Sequence, residues 1–132
     1  MTFLLVDAAN VVGSRPDGWW RDRAGAATRL LDRLAGLPGR EVPGPGGGTV
    51  MVSRVLAVVE GRAREADGPE GVEVVRAPGS GDDELVRCAE QLPGPLLVVT
   101  ADRGLRARLP AGTAVAGPGW LLALLDDIAP SA

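Results

Sequence analysis

Three short apolar runs, Phe3–Val6, Val55–Val59 and Leu96–Val99, are continuous where a half-exposed strand would alternate. Runs of this length, bounded by polar residues, glycine or proline, mark strands covered on both faces. Such a sheet needs helices above and below it, and the intervening segments supply them. Ala24, Ala27, Leu30, Leu31 and Leu34 recur at three and four residues, which predicts one apolar stripe on a helix that stops at Gly36 and Pro38. Trp19 or Trp20 stands near the start of that helix. A second helix is expected over Asp82–Gln91, with Leu85, Val86 and Ala89 inward, and a short one over Asp102–Leu109. Trp120–Leu125 falls in a last helix, with Trp120 in the core. Val72–Val75 and Thr113–Ala116 complete about five strands. Strands alternating with helices predict an α/β fold with a parallel sheet and right-handed crossovers. Periodicity alone does not give the strand order.

At 132 residues the chain is expected to be one domain, residues 1–132, long enough to bury a core without disulfides. Val11 and Val12 lead into a loop, Gly13–Gly18. The Gly- and Pro-rich stretch Gly39–Gly48 reads as a flexible surface connection. Its glycines are not a phosphate loop, because a strand and not a helix follows. Arg62–Pro69 reads as a short helix or loop.

Composition removes several chemistries. The sequence has no His, which excludes imidazole acid–base catalysis and imidazole zinc sites. All 14 basic residues are arginine, which excludes a catalytic lysine, the P-loop lysine and the lysine of a receiver-type phosphoacceptor. The single Cys88 cannot form an internal disulfide and is expected to be a small buried residue, which fits a reducing, cytoplasmic setting. There is no basic leader before the first strand, and no apolar run approaches the roughly 18 residues of a membrane span. The net charge of −3 does not advertise polyanion binding by the molecule as a whole.

The acids share an address. Asp7, Glu60, Asp82, Asp83 and Asp102 each follow an expected strand or open the next helix. In parallel sheets the working crevice lies beyond the carboxyl ends of the strands. Each acid also has a structural reading. Asp7 suits a turn or cap, Ser80 with Asp83 fits the spacing of a capping box, and Asp102 suits a helix N-cap. Glu60 is the weakest member. Taken together, converging carboxylates repel, and a hard dication such as Mg2+ or Mn2+ resolves that repulsion with oxygen ligands. The expected ligands are Asp7, Asp82 and Asp102, with Asp83 as an outer ligand or a group that positions water. Asn10 can orient Asp7 or a water, and Thr100 and Arg103 can contact phosphate. Arg15, Arg21 and Arg23 lie close in sequence to Trp19 and Trp20. Arginine can hold phosphate and tryptophan can stack a base. The alternative is that one tryptophan packs in the core, the other covers the loop, and the arginines are solvated. Arg103, Arg106 and Arg108 read as a solvated helix face.

The motifs V-D-A-A-N-V-V, G-D-D-E-L and V-V-T-A-D-R-G-L, taken in order from Phe3 to about Leu109, resemble the NYN group of the PIN-like nuclease superfamily. The resemblance implies a three-layer α/β sandwich with sheet order 3-2-1-4-5 and metal-dependent cleavage of RNA. Within it, Asp7 matches the first-strand aspartate and Asn10 its companion. Asp82 or Asp83 matches the acid opening the middle helix, and Asp102 the aspartate after the fourth strand. A fourth acidic ligand has no clear match, with Glu60 in its place, and a long basic face is missing. The leading expectation is a metal-dependent ribonuclease. The alternatives are a phosphohydrolase of nucleotides or small phosphate esters, and a non-catalytic module that binds RNA or protein. A homodimer is left open.

Overall fold

The structure is a computed structural model that describes residues 1–128. It is an α/β fold around a six-stranded sheet. In chain order the elements are β1 (Thr2–Asp7), α1 (Ala8–Gly13), α2 (Arg23–Leu34), β2 (Glu41–Pro43), β3 (Thr49–Val59), β4 (Val72–Arg76), α3 (Gly81–Gln91), β5 (Leu96–Val99), α4 (Arg103–Arg108), β6 (Ala114–Ala116) and α5 (Pro118–Ile128). Single 3-10 turns occupy Trp19–Arg21 and Gly61–Glu65.

The continuous apolar runs do cover both faces. Side chains alternate across a strand, so Leu4 and Val6 point to one side of β1 and Leu5 to the other. Leu4 and Val6 meet Leu30, Leu31 and Leu34 of α2 and Leu121 and Leu125 of α5. Leu5 meets Leu85, Cys88 and Ala89 of α3 and Leu105 of α4. The same split divides Val55, Ala57 and Val59 from Leu56 and Val58, and Leu97 and Val99 from Val98. Three layers follow from this alternation, with Cys88 buried as expected.

The expected sheet is matched in part. β4, β3, β1, β5 and β6 lie side by side in parallel pairs. The sheet as a whole is mixed, because β2 adds to β3 antiparallel through Val42 opposite Val50. This corrects the reading of residues 39–48 as a loose connection. Gly47 and Gly48 hold positive φ angles of 96° and 66°, which glycine adopts freely, and they turn the chain back on itself. Val42, 2% exposed, anchors the added strand in the core. The Trp120 indole N–H donates to the Pro43 carbonyl at 3.2 Å and ties α5 to β2. Trp120 is therefore half-buried against the core and not enclosed by it.

Two other boundaries differ. The chain after Asp7 does not run into a loop through Val11 and Val12; it turns at once into α1, burying Ala8 and Val11. Trp19 and Trp20 form their own turn, separated from α2 by the Asp22 cap, whose carboxylate accepts from the Gly25 N–H at 2.9 Å. No helix among the described residues is long and apolar enough to cross a membrane.

Leu31 is fully buried where α2 meets the sheet. Leu31→Ala is expected to lower unfolding free energy by about 2–5 kcal/mol in urea denaturation. Met51→Ala, on the exposed side of the hairpin, should change it by less than about 0.5 kcal/mol.

Candidate active site at the carboxyl edge of the sheet

Asp7 ends β1 and caps α1 in one residue. It is 6% exposed, so its carboxylate needs donors. The Asn10 backbone N–H donates to Oδ1 at 3.3 Å, and the Thr100 hydroxyl donates to Oδ2 at 2.9 Å. Thr100 is itself fully buried at the end of β5, and its oxygen also accepts from the Asp102 N–H at 3.1 Å. Asn10 closes the arrangement from the other side: its side-chain oxygen accepts from the Ala101 N–H at 2.8 Å. Asp102 then caps α4, accepting from the Leu105 N–H at 3.0 Å. One network thus fastens the β1–α1 junction to the β5–α4 junction.

A second tether brings in α3. Glu60, just past β3, accepts the Gly81 N–H at 2.8 Å, while Ser80 accepts from the Asp83 N–H at 3.4 Å. A Cβ on residue 81 would stand 2.9 Å from the Glu60 carboxyl carbon, so the close approach depends on glycine there. Asp83 points outward to Arg108, whose Nη2 lies 2.7 Å from Oδ1. Asp82 is half-buried in the same helical turn and makes none of the ion pairs among the described residues.

The charges feel one another. Burial pushes the Asp7 carboxyl above its ordinary value; its hydrogen bonds from Thr100 and Asn10 oppose this, and Asp82 and Glu60 add to it. Asp82 is also pushed up, first by burial, then by Asp102 and Glu60, against the pull of Arg108. No hydrogen bond offsets the rise at Asp82. Asp82 thus lies within electrostatic reach of Asp7, Asp102 and Glu60. As the side chains stand, no three carboxylates among the described residues are close enough to share one metal ion.

The expected substrate contacts divide. Thr100 is enclosed and holds Asp7, so it is a positioning residue and not a phosphate contact. Asn10 orients Asp7 through its backbone and spends its side chain on the Ala101 loop. Arg15 is drawn to Asp126 at 2.8 Å, an acid that also binds Arg33. Arg15 and Asp126 line a cleft of about 630 Å³ that reaches Asn10 and Ala101. Arg103 is exposed at the start of α4. Arg21 sits beside Trp20 and makes none of the ion pairs among the described residues. Arg106 bonds the Thr100 carbonyl and Arg108 bonds Asp83, so two of the three α4 arginines are tied to the rim and only Arg103 fits the expected solvated face. The signal for Thr100 was present in the sequence: a hydroxyl directly after a fully buried strand must find an internal partner.

No protein-family model matches the sequence, and no curated protein matches it. The structure is similar to two crystal structures of Rae1 (YacP) from Bacillus subtilis, one of them a single-residue variant. The variant superposes with a TM-score of 0.74 at 21% identity, covering 97% of this chain and 77% of that one. The other gives 0.71 at 20% identity, covering 97% and 75%. Likeness at this identity establishes a shared fold.

Asp7 and Asp82 hold protons more tightly folded than unfolded. Their contribution to stability is therefore greatest below the ordinary aspartate value and is lost as pH rises through the raised values. Asp7→Asn, in chelator, is expected to raise the urea midpoint at neutral pH and to lose that advantage in acid. A variant less stable than the parent at neutral pH would show that the Asp7 charge is fully compensated.

Proposed function

We propose that the chain is a metal-dependent ribonuclease of the PIN-like, NYN type. The observation that carries this reading is the place of Asp7, Asp82, Asp102 and Glu60 at the carboxyl edge of the sheet, where Asp82 and Glu60 help hold the Asp7 carboxyl above its ordinary value and Asp102 and Glu60 do the same to Asp82. Two things support it: the ordered sequence motifs that resemble the NYN group, and the fold shared with Rae1 (YacP).

The donor set fits Mg2+ or Mn2+ in chemistry, since it is all oxygen and carries excess negative charge. Asp7, Asp82 and Asp102 would hold the ion. When bound, it supplies positive charge to the phosphoryl oxygens and makes water a better nucleophile. The protein's own part is positioning. Thr100 and the Asn10 N–H fix the Asp7 carboxylate, and the Leu105 N–H fixes that of Asp102. Asp82, which accepts no hydrogen bond among the described residues and lies on the helix tethered through Gly81, would be the third ligand. Asp83 holds Arg108 beside Asp82, where the guanidinium can face a substrate phosphate.

One observation favours a smaller substrate. The net charge of −3 suits a nucleotide or small phosphate ester better than a long polyanion. A panel of nucleotides assayed beside oligoribonucleotides separates the two readings.

The purified chain is expected to cleave single-stranded RNA with Mg2+ or Mn2+ and to stop in chelator. Asp7→Asn and Asp82→Asn should lower the rate more than about 100-fold, and Thr100→Val by roughly 10–100-fold, with Thr100→Ser close to the parent. Undiminished cleavage by folded Asp7→Asn would refute the proposal.

A further inference from the structure

Of the three tryptophans, two leave the core together. Trp19 is half-buried, and Trp20 keeps 51% of its surface in solvent. Their rings meet edge to face with centroids 5.9 Å apart. The Arg21 guanidinium lies 6.0 Å from the Trp20 ring and that of Arg23 lies 5.4 Å from the Trp19 ring. The chain's arginines are elsewhere largely committed: Arg15, Arg33, Arg54, Arg87 and Arg108 pair with acids, and Arg40, Arg64, Arg76 and Arg106 bond backbone carbonyls. Arg21, Arg23 and Arg62 make none of the ion pairs among the described residues, and all three line one cleft of about 660 Å³ with Trp20. The acids in that cleft are Asp22, turned to the Gly25 N–H, and Glu65. Arg23 and Gly61 also border a smaller hollow of about 310 Å³, walled by Trp19 and Ala8 and ending at Glu60. The hollow and the cleft share Arg23 and Gly61 as walls, and the hollow reaches Glu60 of the acidic rim.

We infer that this cleft seats a single-stranded RNA segment adjoining the acidic rim, with a base stacked on Trp20 and phosphates on Arg21, Arg23 and Arg62. The inference rests on the ribonuclease reading and adds where the strand lies. A Trp ring in water is useful when a flat apolar partner covers it, and unpaired guanidinium groups beside it call for an anion. A single strand offers both at once, whereas a duplex hides its base faces. In an acidic protein, a confined patch of free arginines also accounts for how a polyanion is received without a long basic face.

The test is fluorescence anisotropy of a labelled oligouridylate with the full chain in chelator, so that binding is read without cleavage. Trp20→Ala is expected to weaken binding about tenfold or more, with Trp20→Phe largely restoring it. Arg21→Ala with Arg62→Ala should flatten the salt dependence by roughly 0.7 in slope per phosphate lost. Asp7→Asn should bind the strand while failing to cleave it. Parent-like binding by Trp20→Ala, or equal competition by duplex RNA or polyglutamate, overturns the inference. In that case cleavage by the parent chain leaves the ribonuclease reading standing. Strand binding with these dependences, but no cleavage by the parent with Mn2+, upholds the cleft and removes the nuclease.

Discussion

A carboxylate cannot be enclosed beside a sheet unless something donates to it, and here the main donor is the Thr100 hydroxyl, 2.9 Å from Asp7. That contact joins the last residue of β1 to the residue that follows β5. Thr100 passes the constraint on by accepting from the Asp102 N–H, and Asn10 returns it by accepting from Ala101. Two helices, α1 and α4, therefore begin from one hydrogen-bonded knot. The knot is internally consistent: every polar group named in it has a partner, which is the condition for burying polar atoms without a large penalty. What it leaves unbalanced is charge.

That imbalance spreads through backbone geometry. Glu60 holds the first N–H of α3, and the missing side chain at Gly81 lets it come close. The helix then carries Asp82 into the field of Asp7 and Asp102. Helix starts favour acids by themselves, through the dipole and the free N–H groups. Capping accounts for Asp102 and in part for Asp7, and Arg108 accounts for Asp83. Asp82 shares the dipole of the first turn of α3 but caps nothing and makes no ion pair among the described residues, so its place beside other acids is the feature that a cation or a phosphate-bearing partner would relieve.

How much of this could be read from the residues depends on the length over which each pattern repeats. The runs at Phe3–Val6 and Leu96–Val99 spoke clearly, because a strand buried on both faces admits no polar position. α1 is too short for a helical period to register, and Val11-Val12 looked like chain leaving a strand. The β2 strand was hidden because the glycines that make a tight turn are also those of a flexible linker; Val42 alone distinguished them. The place of Asp7, Asp82 and Asp102 just after strands or at helix starts was legible, because each follows a short apolar run or opens the next helix. The tether by Glu60 and the pairing of Arg15 with Asp126 were not, since each joins residues far apart in sequence. The two tryptophans carried no signal for which side of the surface they would take.

The account stands on the claim that Asp7 and Asp82 share an uncompensated negative field that a divalent cation relieves. Carbon-13 NMR titration of the two side-chain carboxyls, with and without Mg2+, measures this directly. Both are expected to titrate above the ordinary aspartate range in chelator and to shift downward together when Mg2+ is added. Ordinary titration of both groups, unchanged by the ion, would contradict it.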